Sequence, residues 1–222
     1  MNAYDFIRSA IIEGDYAPGQ RLTEEALAAE LHISRTPIRE ALKRLETEGL
    51  IVSLKRGVSV KTFSRESIRQ IYDLRALLEG YTATQAAINH TTEDIKRLWH
   101  IHEAYGQAIE RLDEHHPINL KEVVRLNNKF HEGVLLASKN EYMEFLLSKV
   151  FVLPLVFRSF YWYNKEEIEQ SQGMHQTILE AIEQRDPERS KSAMSEHIYR
   201  GRDHVLRHII EEGGDEEKED CL

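Results

Sequence analysis

The fold of this chain is decided by residues 23–60, which read TEEALAAELHISRTPIREALKRLETEGLIVSLKRGVSV. Thr23 suits the N-cap of a short helix that ends near Leu31. A second helix begins close to Ser34 and ends at Gly49, a good C-cap residue. After Gly49 the apolar pattern changes to two short β-prone runs around a basic tip, 50–54 and 58–63. Two short helices followed by a basic hairpin predict a winged helix-turn-helix.

The rest of the chain reads as helix. Apolar residues at helical spacing predict a first helix over 3–14. From Ser64 onward the predicted helices lie near 64–90, 91–112, 117–138, 140–163, 165–184 and 187–211. The predicted fold is therefore mostly α. It comprises a winged helix-turn-helix DNA-binding domain over 1–63, an all-helical domain over 64–210 and an acidic disordered tail over 211–222.

The composition and the charge distribution narrow the function classes. The chain is 41% hydrophobic and 30% charged, which is typical of a soluble globular protein, and no apolar run approaches the ~20 residues of a membrane span. The net charge of −9 argues against a nucleic acid partner, but residues 34–62 hold seven basic and three acidic side chains. A local basic surplus suits a protein that touches phosphates at one end. Cys221 is the single cysteine, which fits a cytoplasmic protein.

Two arginines on the second short helix are candidates for reading bases. Arg35 and Arg39 lie one turn apart on its polar face, opposite Ile38 and Leu42. A helix-turn-helix presents the N-terminal side chains of its second helix to base edges in the major groove. Arginine is the side chain best shaped for bidentate contact with guanine.

Further basic residues suit the DNA backbone. Lys43 and Arg44 follow along the same helix and suit phosphates. Arg56 at the hairpin tip can enter a minor groove or grip the backbone, while Gly57 lets the strands turn tightly. A single arginine on a helix face is more often simply solvated, and it is the joint pattern that favours DNA recognition.

The same region resembles a known family of regulators. Its matching runs are Pro18–Leu22, Leu27-Ala28, Ile33–Leu45 and Glu48–Ile51. They resemble the GntR family of bacterial transcription regulators, for which SRTPIREAL (34–42) is close to a fingerprint. The resemblance implies a repressor or activator whose operator contacts come from Ser34, Arg35, Thr36, Arg39 and the wing pair Arg56-Gly57. Some members carry an arginine near position 25; this chain has Glu25, so that contact is not transferred.

Three predicted helices of the C-terminal part each turn a histidine toward the interior. Asn127 and His131, four residues apart, project together from an apolar stripe. His175 and His197 each align with apolar residues one turn away. Neutral imidazoles that converge in a helical bundle suit zinc or another divalent transition metal. A histidine on an apolar face is more often a hydrogen-bonded core residue, so the spacing alone leaves both interpretations open.

Residues 65–210 resemble, more loosely, the C-terminal ligand-binding domain of the FadR subfamily. The matches are Leu74–Glu79, Asn127 with His131, His175 with the apolar residues after it, Asp186, and Met194 with His197. The resemblance implies a metal site of one aspartate and three histidines. Here Asn127 replaces the aspartate and brings no charge, so we expect weaker metal binding by Asn127, His131, His175 and His197. Zinc is the expected ion, with nickel or manganese as alternatives.

Arg75 lies on a mostly buried stripe of its predicted helix. A buried guanidinium requires an anionic partner. Glu79, one turn further on, is one candidate. The other, implied by the resemblance, is a carboxylate effector held jointly by Arg75 and the metal.

The leading prediction is a homodimeric regulator of a pseudo-palindromic double-stranded operator, controlled by a small organic acid. One alternative is a metal-free regulator with an apolar or acyl-CoA effector, which the three inward histidines disfavour. Another is a metal-dependent enzyme, although the sequence offers no placed general base, nucleophile motif or phosphate loop. We expect His204 and His208 at the surface as backup ligands. Trp99 and the aromatic run 160–163 are expected in the core or at a dimer interface.

Overall fold

The computed structural model describes residues 2–112, 118–150 and 163–212. They form two compact units, residues 2–64 and residues 65–112 with 118–150 and 163–212. No helix within these ranges is long and apolar enough to cross a membrane. The predicted fold class is confirmed: a small helix-turn-helix unit with a short sheet, followed by an all-helical unit.

The N-terminal unit is built around two consecutive short helices. Its elements are α1 (Ala3–Glu13), β1 (Arg21–Leu22), α2 (Glu24–Leu31), α3 (Arg35–Thr47), β2 (Ile51–Ser53) and β3 (Val58–Val60). Thr23 caps α2 as predicted, since its side chain accepts a hydrogen bond from the backbone N–H of Ala26. His32 ends α2 in the left-handed conformation, with φ of +53°. Ser34 is the N-cap residue of α3.

The three strands form one antiparallel sheet in the order β1-β3-β2. Ile51 pairs with Val60, and Leu22 pairs with Val58. The hairpin of β2 and β3 is the predicted wing. Strand β1 was not predicted, because two residues are too few to show an alternating pattern and they depend on β3 for their pairing.

The second unit is a helical bundle. Its helices are α4 (Arg65–Asn89), α5 (Thr92–Glu110), α6 (Ile118–Ala137), α7 (Glu141–Val150), α8 (Lys165–Glu183) and α9 (Pro187–Glu212). The second half of the predicted helix 140–163 and the aromatic residues 160–162 lie outside the described residues, as does the predicted tail from 213 onward. Glu211 and Glu212, which we assigned to that tail, belong to α9.

The packing of these helices brings four of them around one centre. Helix α4 packs along α9 and also contacts α6 and α8, while α5 packs against α6 and α8. Capping boxes fix the starts of α5 and α8, through Thr91 with Asp94 and through Asn164 with Glu167. The predicted histidine-bearing helices α6, α8 and α9 therefore meet in one bundle, beside α4.

Candidate DNA interface and metal centre

The predicted DNA-contacting face of α3 lies at the protein surface. Its exposed side chains are Ser34, Arg35, Thr36, Arg39, Lys43 and Arg44. Ile38 and Leu42 on the opposite face are buried in the core of the N-terminal unit. The amphipathic pattern thus orients α3 as predicted, with its basic face turned outward.

Glutamates at the start of α2 pair with both predicted base-reading arginines. Arg39 donates from Nε and Nη2 to the two carboxylate oxygens of Glu24, at 2.9 and 2.8 Å. Arg35 Nη2 lies 2.8 Å from Glu25 Oε1. The hydrogen bond from Arg39 lowers the pKa of Glu24. Sequence reasoning missed both pairs, treating Glu25 only as a departure from the family pattern.

Arg44 also has protein partners. Its guanidinium lies 3.7 Å from the centroid of the Tyr4 ring, and its Nε donates to Glu48 Oε1 at 3.2 Å. Tyr4 in turn donates its hydroxyl proton to the same carboxylate. Arg44 is therefore tied to α1, whereas Lys43 extends from the exposed face.

The wing tip is shaped by one glycine. Gly57 has a φ of +81°, and a Cβ there would lie 2.5 Å from the carbonyl oxygen of Leu22. The backbone N–H of Leu54 donates to the carbonyl of Gly57, and Arg21 Nε donates to the carbonyl of Arg56. The exposed Arg56 side chain thus projects from a turn anchored to β1.

Three histidines from three helices converge in the second unit. Nε2 of His197 lies 3.2 Å from Nε2 of His131 and 3.2 Å from Nε2 of His175. Among the described residues these histidines form a group able to hold a metal ion, with their ligand atoms all within 4.8 Å of one another. His175 is fully buried, and Phe130 stacks on its ring with centroids 4.1 Å apart.

Glu79 of α4 orients the first of these histidines. His131 Nδ1 lies 2.6 Å from Glu79 Oε2. An ionised carboxylate only accepts, so Nδ1 carries the proton and the lone pair of Nε2 faces the other two imidazoles. Metal-binding histidines commonly have such a carboxylate behind them. Glu79 and His131 are 52 residues apart in the sequence, so the helical spacing gave no signal for their contact.

Burial keeps two of the three histidines uncharged, beside one buried ion pair. Burial, with the neighbouring His197 and His131, holds the pKa of His175 well below its ordinary value. Burial and His131 lower the pKa of His197 to about 3. Burial alone would raise the pKa of Glu79, but Arg75 and His131 outweigh it and lower that pKa to about 2. At neutral pH His175 and His197 are therefore unprotonated, which is the state that a metal ligand requires.

Glu79, one of the two anionic partners proposed for Arg75 from the sequence, pairs with it in the structure. Arg75 Nε donates to Glu79 Oε1 at 2.8 Å, and both side chains are only 5% exposed. The guanidinium carbon also lies 5.1 Å from the ring centroid of Tyr72. Arg75 contacts one oxygen of the Glu79 carboxylate and His131 contacts the other, so Glu79 connects these two residues.

The remaining residues singled out from the sequence all lie in the helical unit. Asn127 is buried one turn before His131, and its amide nitrogen donates to Asn128 Oδ1 at 3.4 Å. The prediction that His204 lies at the surface is wrong: it is buried, because Tyr163 stacks on its ring with centroids 3.6 Å apart. His208, half-buried, donates from Nδ1 to the carbonyl of His204. Trp99 is half-buried and donates to Glu183.

Comparison with known proteins identifies both units. Residues 1–60 match the family model "Bacterial regulatory proteins, gntR family", and residues 70–200 match the FCD domain. The chain is 29% identical over 214 residues to the "Uncharacterized HTH-type transcriptional regulator YdhC" of Bacillus subtilis (strain 168), covering 96% of this chain and 93% of that protein. It is also 29% identical over 195 residues to the "Nta operon transcriptional regulator" of Aminobacter aminovorans, covering 87% and 88%.

A solved structure shares the fold. "E. coli McbR/YncC" superposes with a TM-score of 0.77 at 21% sequence identity, covering 93% of this chain and 96% of that chain. The family matched by residues 1–60 is named for regulatory proteins, and both relatives are named as transcription regulators, not enzymes. This chain therefore belongs to the GntR family, as a DNA-binding transcription regulator with a C-terminal FCD domain.

Proposed function

We propose that this chain is a homodimeric cytoplasmic regulator whose affinity for a pseudo-palindromic operator changes when a small carboxylic acid binds at a metal site. The convergence of His131, His175 and His197 is the observation that carries the proposal. It supports a metal-dependent sensor over a metal-free regulator with an apolar or acyl-CoA effector. Three neutral imidazoles facing one another suit a cation better than an acyl chain.

The DNA-reading part of the proposal assigns contacts with base edges to Arg35 and Arg39, and the remaining DNA contacts to other residues of α3 and the wing. The other residues are Ser34, Thr36, Lys43 and Arg44 on α3, and Arg56 with Gly57 at the wing. Arg39→Ala should weaken operator binding by roughly 5- to 150-fold and relax the base preference at one position. Lys43→Ala is the matched control and should weaken all sequences alike. Unchanged base preference of Arg39→Ala in a salt-matched titration would refute this assignment.

The metal part of the proposal assigns the ligands to Asn127, His131, His175 and His197. Zn–N bonds of about 2.0–2.1 Å place two nitrogen ligands about 3.3 Å apart at a tetrahedral ion, and Nε2 of His197 lies 3.2 Å from Nε2 of both His131 and His175. The Glu79 carboxylate behind His131 fixes the tautomer that a metal needs. Zinc is proposed, with nickel or manganese as alternatives. A bound divalent ion would supply positive charge in a buried place.

The effector part of the proposal follows from charge. Arg75 and Glu79 already compensate each other, and the lowered pKa values of His175 and His197 keep these imidazoles neutral. A divalent cation held by neutral ligands keeps its full charge, which is costly in a buried environment without an anion. A small carboxylate is the complement, and Arg75 is the proposed second contact for it.

Calorimetry tests metal and effector together. A panel of mono-, di- and hydroxycarboxylates is titrated into zinc-loaded protein and into chelated protein. We expect binding by at least one acid only in the zinc-loaded form, and no binding by zinc-treated His175→Ala. Asn127→Asp should tighten zinc binding, because it adds a ligand charge. Equal affinity for a carboxylate in the loaded and chelated forms would show that the metal is not part of the effector site.

An exposed apolar face on α4 supports the homodimer. Leu74, Leu77, Tyr81 and Ile88 are 44–65% exposed. At about 100° per residue they fall within an arc of about 60° on one side of the helix. A contiguous apolar stripe on the surface typically marks a protein interface. Because one recognition helix reads only a few base pairs, a second copy is the partner that operator binding requires.

A further inference from the structure

The first turn of α2 carries two acidic side chains that contact the proposed base-reading arginines. Glu24 accepts two hydrogen bonds from Arg39, and Glu25 forms an ion pair with Arg35, with Oε1 and Nη2 2.8 Å apart. The side chains of both arginines are well exposed, at 64% and 59%. Exposed ion pairs contribute little to folding. Two such pairs at the same end of α3 therefore point to a role in what α3 binds.

The Glu24 contact fixes the orientation of a guanidinium. Arg39 uses the edge formed by Nε and Nη2, so the plane of the guanidinium is held by two hydrogen bonds. A guanidinium has a second edge, formed by Nη1 and Nη2, and guanine offers O6 and N7 as a paired acceptor for such an edge. A side chain that is already ordered loses less conformational entropy when it binds.

The same contacts alter the electrostatics of the face. Phosphate contacts supply most of the affinity of a regulator for unrelated DNA. An arginine paired with a carboxylate presents no net charge to a phosphate, and the negative carboxylate itself repels the phosphate. Residues 34–62 carry a basic surplus, but Glu24 and Glu25 cancel two of its charges where α3 begins.

We propose that Glu24 and Glu25 are specificity-determining positioning residues of the DNA interface. Each holds its arginine for contact with a base edge and withholds that arginine's charge from the phosphates of unrelated DNA. This role depends on the proposed base contacts of Arg35 and Arg39. It gives a function to Glu25, near whose position some members of the family carry an arginine.

The test measures the affinity of the full-length chain for two duplexes. One is selected by the wild-type protein from a random-sequence pool, and the other is a shuffled duplex of equal composition. Fluorescence anisotropy follows both from about 50 to about 200 mM salt. One additional phosphate contact strengthens binding about 5-fold at 0.15 M salt and steepens the salt dependence by about 0.9. We expect Glu24→Gln to bind the shuffled duplex about 5-fold more tightly than wild type does. The ratio of its affinities for the selected and the shuffled duplex should fall by at least the same factor.

Two further variants separate charge from orientation. Glu24→Asp keeps the charge but shortens the side chain, which breaks the two-point contact. It should leave the shuffled duplex near wild-type affinity and reduce binding to the selected duplex. Glu40→Gln removes an equal charge from an exposed position on α3. It should shift both duplexes alike and keep their ratio.

The outcomes distinguish this proposal from the one on which it depends. If Arg39→Ala keeps wild-type base preference, the assignment of the recognition helix fails. If Arg39→Ala loses it while Glu24→Gln either matches wild type or shifts both duplexes equally, the positioning role of Glu24 is overturned. Glu25→Gln is judged in the same way against Arg35→Ala.

Discussion

Replacing Glu79 by glutamine tests the buried network that joins α4 to the metal centre. The substitution keeps the shape of the side chain and removes its charge. Arg75 then has no carboxylate at Nε, and the proton of His131 Nδ1 has a neutral acceptor. We expect the metal-free protein to lose stability, because a charge is left buried without its counter-charge.

The size of the loss follows from the pKa. The pKa of Glu79 lies at about 2 instead of 4.5, and each tenfold change in a protonation equilibrium corresponds to about 1.4 kcal/mol. Ionised Glu79 therefore stabilises the fold by about 3 kcal/mol. This agrees with the roughly 3–5 kcal/mol lost when one partner of a buried pair is removed.

Urea denaturation of chelated protein measures this loss. Because the folded-state pKa lies below the unfolded one, the contribution of Glu79 is fully present above pH 4.5 and disappears as the pH falls toward 2. The difference in unfolding free energy between wild type and Glu79→Gln should therefore be about 3 kcal/mol at pH 7. It should shrink steadily below about pH 4.5.

A second glutamate of α4 provides the control. Glu66 is on the same helix, and its side chain is 67% exposed. Glu66→Gln should change the unfolding free energy by less than about 0.5 kcal/mol. If Glu79→Gln is as mild as Glu66→Gln at pH 7, the reasoning that Glu79 compensates two buried neighbours is refuted.

Three further predictions concern separate features. His175→Ala should abolish zinc retention through dialysis, measured by elemental analysis, whereas His102→Ala, a buried histidine outside the cluster, should retain it; equal retention by both variants would contradict the ligand assignment. Leu77→Glu should weaken self-association by more than about 100-fold because a charge is placed in an apolar contact, and a persistent dimer in sedimentation equilibrium at micromolar concentration would exclude this face. Gly57→Ala should destabilise the wing by about 1–3 kcal/mol, since its Cβ would meet the Leu22 carbonyl; wild-type operator affinity and urea stability would show that the turn adapts.

The sequence predicted most of the fold because most of its signals are local. The Thr23 cap, the apolar repeat of Ile38 and Leu42, and the chain reversal near Gly49 each depend on a few neighbouring residues. Strand β1 was missed because its pairing depends on β3, beyond α3 in the chain. The burial of His204 was missed because Tyr163, which covers it, lies on another part of the bundle.

In the candidate site, too, the sequence predicted the features that depend on neighbouring residues and missed the contacts between distant ones. Each of the three histidines lies on an apolar stripe of its own helix, so the sequence indicated that all three turn inward. The spacing could not show which residue orients these histidines, because the contact between Glu79 and His131 joins two helices that are far apart in the sequence. The Arg39–Glu24 pair was missed for a similar reason, since it depends on the crossing of α2 and α3.

The anchoring of the wing has a consequence for redesign. Gly57 is confined by the backbone at Leu22, and the carbonyl of Arg56 is held by Arg21. The side chains of Lys55 and Arg56, in contrast, extend into solvent. The backbone of the wing tip is therefore fixed, while its side chains can be exchanged. Libraries that vary residues 55 and 56 while keeping Arg21 and Gly57 should yield new groove preferences without rebuilding the sheet.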